Sequence, residues 1–534
     1  MRAADQLIQT LLAAGTDTIF SLSGNQIMPI YDAAIDYPIQ LVHTRHEAGA
    51  VYMADGYARS SDKIGVALVT AAPGFTNALG PLYANMQTQT PMLLLSGDSP
   101  TSQDKMMPFQ QLDQPEIARH LVKESWRVNH AERLADDIAG GIALARSGRP
   151  GPVHISLPQD MLNAEAGEAK AFDPAAFKPE TSSLSKADLP SILNVVDGAR
   201  MPLIITGPSL HPTQASGVAD KLMATLNIPV ICMQSPRGLN DPALGKLKTI
   251  LQNADALILI DKDVDFTLGA GNIETLPAEH IAMIAANAES IAHASTVLSG
   301  RLNWGCIGDP ITAANALMEA SNIRGPSGWC TKVKKALSQR PKAPASSSHA
   351  GQTGQMTAHA LAEAIAATLN PLPKVIIDGG EVGQWAQSVL PADQTLTNGL
   401  SGAIGGSIPQ AIGMAMANPS SPVVAFMGDG TAGFYLSELD TARRLNLPIT
   451  FIIANDQRWG AEVEIQHRLY GADRAKGCAL DDITSYDNVA KAMGLNGEKT
   501  ETIEQFISAL IAAQKSRKPT VINAMIKGLP APSF

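Results

Sequence analysis

The chain has 534 residues, a formal net charge of −10 and a sequence pI near 5.6. An acidic chain of this kind is not expected to bind nucleic acid, because phosphate backbones recruit basic surfaces. The length predicts about three domains of roughly 150 to 200 residues each. The four cysteines form no Cys-X-X-Cys pair, so neither a disulfide framework nor a zinc site is expected.

The N-terminal segment, from Met1 to Ala14, has the pattern of a polar amphipathic helix and not that of an apolar signal segment. No run of 18 apolar residues occurs in the sequence, so no membrane-spanning helix is expected. We therefore expect a cytoplasmic protein without a membrane partner.

Two polar stretches that contain proline and serine divide the chain, the first at about residues 163–185 and the second at residues 341–354. The second is the clearer linker by composition. Together they predict an N-terminal domain at residues 1–165, a middle domain at residues 186–335 and a C-terminal domain at residues 355–534.

Each predicted domain alternates short β-like runs with longer helical patterns. Clear apolar runs of this kind occupy residues 65–70, 202–206 and 374–378. Such alternation is typical of α/β folds with parallel sheets. We predict three Rossmann-like, doubly wound parallel-sheet domains.

A candidate metal site follows two apolar runs of the C-terminal domain. Gly428-Asp429-Gly430-Thr431 comes after residues 422–427, and Asp456 comes after residues 449–454. Both aspartates then lie at carboxyl ends of strands, where parallel sheets bind ligands. Carboxylate oxygens together with phosphate oxygens suit Mg²⁺. The helical pattern at residues 436–445 could present its first amides to an anion near Gly430 and Thr431.

A second group of motifs lies near the N-terminus. His43-Thr44-Arg45-His46-Glu47-Ala48-Gly49-Ala50 precedes Met53-Ala54-Asp55-Gly56-Tyr57-Ala58-Arg59. These motifs resemble the pyrimidine-binding module of thiamine diphosphate (ThDP) enzymes. Five further motifs follow the order of the acetolactate synthase and benzaldehyde lyase branch: Phe20-Ser21-Leu22-Ser23-Gly24, Ala72-Pro73-Gly74-Phe75-Thr76-Asn77, Phe109-Gln110, Gly148-Arg149-Pro150-Gly151-Pro152 and Gly428-Asp429-Gly430.

The resemblance implies a pyrimidine-binding domain, a middle domain and a pyrophosphate-binding domain, with an active site shared by two chains. A homodimer is then the minimum assembly and a homotetramer the expected one. Glu47 would hydrogen-bond N1′ of the cofactor. Ile404 would be the apolar wedge beneath its bent rings, and the Gly402 carbonyl would accept from its 4′-amino group.

The resemblance also implies the metal ligands, which are the side chains of Asp429 and Asp456 and the main-chain oxygen of Arg458. Most relatives carry asparagine where Asp456 stands, and the extra carboxylate lowers the net charge of the site. The remaining cofactor contacts carried over from the family are Pro73, Asn77, Ala403, Gly428, Gly430, Thr431, Trp459 and Gly460.

The substrate branch is less clear from the sequence. Acetohydroxyacid synthases carry an Arg-Gln-Trp element where this chain has Val463-Glu464-Ile465. The stretch from Asp456 to Gly460 instead resembles benzaldehyde lyase, whose small alanine and pocket histidine correspond to Asn25 and Gln26. We predict that these two side chains, with Gln110 and Leu400, shape a polar catalytic pocket; the alternative is that Asn25 and Gln26 cap a turn after Gly24.

The leading interpretation is a ThDP- and Mg²⁺-dependent enzyme that decarboxylates a 2-oxo acid and ligates the product to a second carbonyl. One alternative is a lyase that cleaves a 2-hydroxyketone or 2-hydroxyacyl compound. The other is a non-catalytic ThDP-binding paralogue. In each enzymatic case the partner is a small carbonyl substrate. FAD is not expected, because the stretches that bind it in acetohydroxyacid synthases are shortened here between residues 234–238 and 255–259.

Overall fold

A computed structural model describes residues 1–168, 170–185, 187–320, 322–343, 356–480 and 484–532. The chain forms two compact units. The first unit comprises Met1–Glu180, Ile408–Ser421 and Tyr435–Ile449. The second comprises Thr181–Ser407, Pro422–Phe434 and Thr450–Phe534.

The strands, in chain order, are β1 Thr18–Ser21, β2 Gln40–His43, β3 Gly65–Val69, β4 Met92–Asp98, β5 Ser125–Arg127, β6 Pro152–Pro158, β7 Pro202–Thr206, β8 Val230–Cys232, β9 Ala256–Ile260, β10 His280–Ala285, β11 Leu302–Ile307, β12 Lys374–Ile377, β13 Thr395–Thr397, β14 Val423–Gly428, β15 Ile449–Asn455, β16 Asn496–Thr500 and β17 Thr520–Met525.

The α-helices are α1 Ala3–Ala13, α2 Met28–Ala33, α3 Glu47–Ala58, α4 Pro73–Asn77, α5 Leu79–Thr88, α6 Gln114–Ala118, α7 Leu134–Arg146, α8 Gln159–Asn163, α9 Asp188–Val196, α10 Val218–Leu226, α11 Leu247–Leu251, α12 Ala288–Val297, α13 Pro310–Ala320, α14 Trp329–Leu337, α15 Ala358–Thr368, α16 Gly380–Val389, α17 Ser407–Ala417, α18 Asp429–Ala432, α19 Leu439–Arg444, α20 Gly460–Tyr470, α21 Tyr486–Ala492 and α22 Ile503–Ser516.

The first and third sheets share one strand order. The first sheet runs β2-β1-β3-β4-β6-β5, and the third runs β13-β12-β14-β15-β17-β16. In both, the order reverses beside the first strand in sequence, between β1 and β3 and between β12 and β14. Open α/β sheets bind ligands at such reversal points, outside the carboxyl ends of the strands. The candidate residues of both halves of the chain follow these strands.

The middle sheet has the order β11-β10-β9-β7-β8 and is parallel throughout its described pairings. Alternate residues of its strands enter separate cores. Leu203 and Leu257 belong to one apolar cluster, whereas Ile204 and Ile258 belong to another. A strand alternates its side chains between two faces, so this sheet is buried on both. The prediction of three parallel α/β domains is confirmed; their exact boundaries stay a prediction.

Helix α3 of the first unit is buried along its whole length. Two glycines let α3 and α17 approach closely, because a Cβ at Gly56 would lie 2.1 Å from the Gln410 carbonyl oxygen. A Cβ at Gly413 would lie 1.9 Å from the carbonyl oxygen of Met53. The side chain of Gln410 also donates to Asp55 at 2.7 Å. These contacts hold α3 firmly, and the helix begins with Glu47.

Several predicted elements lie where the sequence indicated. The N-terminal helix covers Ala3–Ala13, and the predicted strand at residues 449–454 extends to Asn455. The linker predicted at residues 341–354 falls mostly outside the described residues, which stop at 343 and resume at 356. Within the described part of the chain, no helix combines the length and apolar composition needed to cross a membrane.

Candidate functional site

The second unit contains a cavity of about 260 Å³ at the carboxyl ends of β12, β13, β14 and β15. The loop after β8 supplies a further wall through Ser235, Pro236 and Arg237. Every candidate cofactor or metal residue predicted in this unit lines the cavity, namely Gly402, Ala403, Ile404, Gly428, Asp429, Gly430, Thr431, Asp456, Arg458, Trp459 and Gly460. Leu400 belongs to the same loop as Gly402 but is not among the described lining residues.

Asp429 and Asp456 are buried carboxyls of this cavity. Burial, and then the charge of Asp456, raise the pKa of Asp429 to about 7. Burial also raises the pKa of Asp456, although a 3.0 Å hydrogen bond from Nε of Arg458 opposes that effect. Two carboxyls that disfavour each other's charge make a site in which a cation would be strongly stabilised.

The turn after β14 differs from the sequence expectation. Gly430 and Thr431 are themselves helical and belong to the short helix α18. The helix predicted from residue 436 is present as a 3₁₀ turn at Leu436–Glu438 followed by α19. The first amides near Asp429 therefore come from α18 and not from the later helix, because the strand passes directly into a helical turn. Tyr486 donates to the main-chain oxygen of Asp429 at 3.0 Å.

Glycines bring the cavity walls together. A Cβ at Gly430 would lie 2.8 Å from the indole ring of Trp459, so only glycine leaves room for that ring. A Cβ at Gly460 would lie 2.7 Å from a carboxyl oxygen of Glu381. The Gly-Asp-Gly turn and the Trp459-Gly460 pair thus fit each other sterically.

Asp378 organises the loop that carries Ile404, a role that the sequence did not reveal. Its carboxylate accepts hydrogen bonds from Nδ2 of Asn398 at 2.8 Å and from the amides of Gly405 and Ser407 at 3.1 and 3.3 Å. Asp378 is 1% exposed, so these bonds form away from solvent. Its position directly after β12, at the carboxyl edge, was the available signal.

The cavity also contains acceptors without partners. Oδ1 of Asn398 and Oε1 of Gln387 are buried, and neither has a hydrogen-bond partner within the described residues. Glu381 lines the same wall, and burial together with Glu464 raises its pKa to about 7. Unpaired buried polar atoms are rare in native interiors, so these groups point to a ligand that supplies donors or positive charge.

The first unit holds the other candidate residues. Glu47 is 9% exposed at the start of α3, and it accepts a hydrogen bond from Nδ2 of Asn77 at 3.0 Å. Its neighbour His46 caps the helix by accepting from the amide of Ala48 at 3.1 Å. Pro73 begins the short helix that ends at Asn77.

Gln26 and Gln110 are also brought together. Nε2 of Gln26 donates to Oε1 of Gln110 at 2.7 Å, and Thr70 donates to Oε1 of Gln26 at the same distance. The Gln26 side chain is therefore bonded to Thr70 and Gln110 and does not cap the turn after Gly24. Asn25 is exposed in the 3₁₀ turn Asn25–Ile27.

Glu438 is a second residue that sequence reasoning missed. Its carboxylate, which is fully buried, accepts from the amides of Arg45 and His46 at 2.9 and 3.0 Å, directly before Glu47. Burial raises the pKa of Glu438. A Cβ at Gly49 would lie 2.4 Å from its Oε1, so the first turn of α3 is shaped around this carboxylate. No sequence motif links positions 393 residues apart.

Comparisons with known proteins agree with this geometry. Residues 1–117 match the family model described as the thiamine pyrophosphate enzyme N-terminal TPP binding domain. Residues 378–524 match the C-terminal TPP binding domain of the same enzymes. The C-terminal match therefore begins at Asp378, the residue that holds the Ile404 loop.

Three curated relatives match over nearly the whole chain. An acetolactate synthase large subunit of Mycobacterium tuberculosis is 28% identical over 98% of this chain and 96% of its own length. A 2-hydroxyacyl-CoA lyase 2 of Caenorhabditis elegans is 27% identical over 98% of this chain and 90% of its own. The 2-hydroxyacyl-CoA lyase 2 of Homo sapiens is 27% identical over 98% of this chain and 89% of its own length.

Proposed function

The chain belongs to the thiamine pyrophosphate enzymes, and on that premise we propose that it is a ThDP- and Mg²⁺-dependent enzyme that makes or breaks a carbon–carbon bond next to a carbonyl. The leading reaction is decarboxylation of a 2-oxo acid with ligation of the product to a second carbonyl. The observation that carries the proposal is the cavity in which the buried carboxyls of Asp429 and Asp456 meet the loop of Ile404.

The residues of the cavity fit the proposed metal and cofactor. Asp429, Asp456 and the main-chain oxygen of Arg458 would hold Mg²⁺, which prefers a few protein oxygens combined with phosphate oxygens. A divalent cation would offset the burial that raises the pKa of Asp429. The Asn398 and Gln387 oxygens, which have no partner among the described residues, could accept from metal-bound water or from the cofactor. These features support the binding of a metal diphosphate.

The protein residues would orient and activate the group. When bound, ThDP supplies a nucleophilic carbon and an electron sink for reactions at a carbonyl. Glu47 would hold a proton at N1′ of the pyrimidine, and Asn77 would keep its carboxyl directed by the 3.0 Å hydrogen bond. Ile404 would support the bent rings, and the main-chain oxygen of Gly402 would accept from the 4′-amino group.

A lyase acting on a 2-hydroxyketone or 2-hydroxyacyl compound is the second candidate. It is favoured by the stretch from Asp456 to Gly460, which resembles benzaldehyde lyase and whose Trp459 packs against Gly430. It is favoured also by Val463-Glu464-Ile465, which stand where acetohydroxyacid synthases carry an Arg-Gln-Trp element. The similarity to 2-hydroxyacyl-CoA lyases supports it as well.

We place this activity in the cytoplasm and in a homodimer or homotetramer, the assembly that a cofactor shared by two chains requires. Equilibrium sedimentation of the purified protein tests the assembly, and a monomer with full activity would contradict it. That FAD is not bound stays a prediction.

Product analysis separates the two reactions. Purified protein with ThDP and Mg²⁺ is incubated with pyruvate, benzoylformate or benzoin, and CO2, hydroxyketones and aldehydes are quantified. We expect CO2 release from a 2-oxo acid. Aldehyde release from benzoin without conversion of either acid would favour the lyase. Absence of ThDP-dependent turnover on a broad panel of both substrate classes would contradict the proposed function.

A further inference from the structure

A hydrogen-bonded relay of three side chains lies beside Glu47 in the first unit. Thr70, at the end of β3, donates to Oε1 of Gln26, and Nε2 of Gln26 donates to Oε1 of Gln110, each at 2.7 Å. Gln26 is 4% exposed, so its amide is almost completely removed from water. Both ends of this buried amide are satisfied by the relay.

The relay has a direction. A hydroxyl carries a single proton, and Thr70 gives it to the Gln26 oxygen, which leaves the Gln26 amide nitrogen to donate onward. The oxygen of Gln110 is then occupied. Its Nε2 group ends the relay, and this nitrogen makes no hydrogen bond to another residue in the described part of the chain. Gln110 therefore presents its Nε2 group as a donor.

The surrounding backbone holds both ends of the relay in place. A Cβ at Gly24 would lie 2.3 Å from Cβ of Thr70, and a Cβ at Gly74 would lie 2.7 Å from its Cγ2, so two glycines enclose the threonine. Gln110 has a positive φ of 61°, which is uncommon for a residue with a side chain. Strained backbone of this kind concentrates at functional sites.

The relay adjoins the residue assigned to the cofactor. The same Cβ position on Gly74 lies 3.6 Å from Oε1 of Glu47, so Thr70 and Glu47 flank one glycine. Gly74 therefore lies between Glu47 and the Thr70 end of the relay.

The geometry points to Gln26 as a positioning and specificity-determining residue, which orients Gln110 as a hydrogen-bond donor to the carboxylate of a 2-oxo acid. This inference rests on the proposed function. A carboxylate offers only acceptors, so a fixed N–H donor suits it, and a hydrogen bond to a charged group is stronger than one to a neutral group. A 2-hydroxyketone offers a hydroxyl in place of the carboxylate and gains less from a donor.

Two variants interrupt the relay without altering Gln110. Thr70→Val keeps the shape of the side chain between the two glycines and removes the proton that sets the direction. Gln26→Met keeps the length of the side chain and removes both hydrogen bonds. Thr296→Val is the matched control, because its hydroxyl belongs to the second unit and, among the described residues, bonds the main-chain oxygen of Ala292 within helix α12 at 3.0 Å.

The readouts are the Kd of oxamate, an unreactive carboxylate isostere of pyruvate, and the Kd of acetoin, both measured by calorimetry on protein loaded with ThDP and Mg²⁺. The KM and kcat for pyruvate accompany them. We expect Gln26→Met to weaken oxamate binding and raise the pyruvate KM by about tenfold or more, and Thr70→Val by about two- to tenfold. Acetoin and ThDP affinities should stay within about twofold of the parent, as should every value for Thr296→Val.

The outcomes are distinguishable. Unchanged oxamate affinity in both variants, or a parent protein that binds ThDP but not oxamate, would overturn the inference and leave the cofactor assignment intact. An equal loss of oxamate and acetoin binding would also overturn it, because that result indicates a structural role only. If Gln26→Met does not fold, Thr70→Val alone decides. A parent that binds no ThDP refutes the proposed function itself.

Discussion

Two buried carboxyls dominate the chemistry of the site at the scale of single residues. Asp429 and Asp456 lie in one cavity, and the guanidinium of Arg458 reaches Asp456 at 3.0 Å. Burial raises the pKa of both carboxyls, and the charge of Asp456 raises the pKa of Asp429 further. A divalent ion held by both carboxyls, as proposed above, would offset this cost.

Asp429→Asn should abolish stabilisation by the metal and cofactor. The amide oxygen can still accept from the surrounding main chain, but one charged metal ligand is lost. We expect the parent Tm to rise when Mg²⁺ and ThDP are added together, and the variant Tm to stay unchanged. Without metal, the variant should be as stable as the parent or more so, since it no longer buries that carboxyl. Differential scanning fluorimetry measures both, and a full Mg²⁺-dependent shift in the variant would refute the metal assignment.

Among the secondary-structure elements, helix α3 positions Glu47, which is its first residue. Its N-terminus is held by Glu438 and its body by close contact with α17. The position of Glu47 thus depends on packing against residues from the C-terminal half of the sequence. Each of the two contacts can be tested separately.

The carboxylate of Glu438 should matter mainly as a hydrogen-bond acceptor. Glu438→Ala leaves the part-buried amides of Arg45 and His46 without their acceptor, and each unpaired amide costs up to about 1 to 3 kcal/mol. Glu438→Gln keeps an acceptor oxygen for these two amides. It replaces the oxygen that accepts from Thr441 by an NH2 group and loses a charge that burial disfavours. Urea unfolding should show a loss of about 2 to 5 kcal/mol for the alanine variant and less than about 1 kcal/mol for the glutamine variant. Equal losses would show that charge matters more than hydrogen bonding.

The contact between α3 and α17 should not tolerate a methyl group. Gly413→Ala places a Cβ 1.9 Å from a main-chain oxygen, so the two helices must separate. We expect a loss of about 3 kcal/mol or more in the free energy of unfolding. Gly140→Ala in α7 is the control, because its Cβ would meet no atom within 4 Å. That variant should be neutral or gain up to about 1 kcal/mol, and similar results for both would contradict the packing described.

At the scale of the whole molecule, the first and third sheets repeat one strand order, and the candidate residues follow the corresponding strands in each. Much of this could be predicted from sequence, since short apolar runs and Gly-Asp-Gly mark strand ends. Asp378 and Glu438 could not. Most of their partners are main-chain amides of other segments, and any buried carboxylate can satisfy such amides without a recognisable motif.

Stability should also depend on pH through Asp241, a buried residue far from the metal ligands in sequence. Burial raises its pKa to about 6, while the amide of Ala243 opposes that shift with a 2.9 Å hydrogen bond. The folded state therefore retains a proton that the unfolded chain loses near pH 4, and stability falls as pH rises from about 4 to about 6.

Asp241→Asn should remove that component of the pH dependence. The amide oxygen keeps the hydrogen bond from Ala243 and carries no charge at any pH. Relative to the parent, the variant should gain up to about 3 kcal/mol between pH 4 and pH 7. Unfolding in urea at several pH values measures the difference, and parallel curves for the two proteins would show that Asp241 does not titrate as described.

Activation of ThDP by Glu47 can be measured without any substrate. Proton exchange at C2 of bound ThDP is followed by NMR in deuterated buffer for the parent and for Glu47→Gln, both saturated with Mg²⁺. If Glu47 activates the cofactor, the parent should exchange at least about 100 times faster than the variant, the scale of one positioned acid–base group. Equal exchange rates in two proteins that both bind ThDP would show that Glu47 does not activate the cofactor.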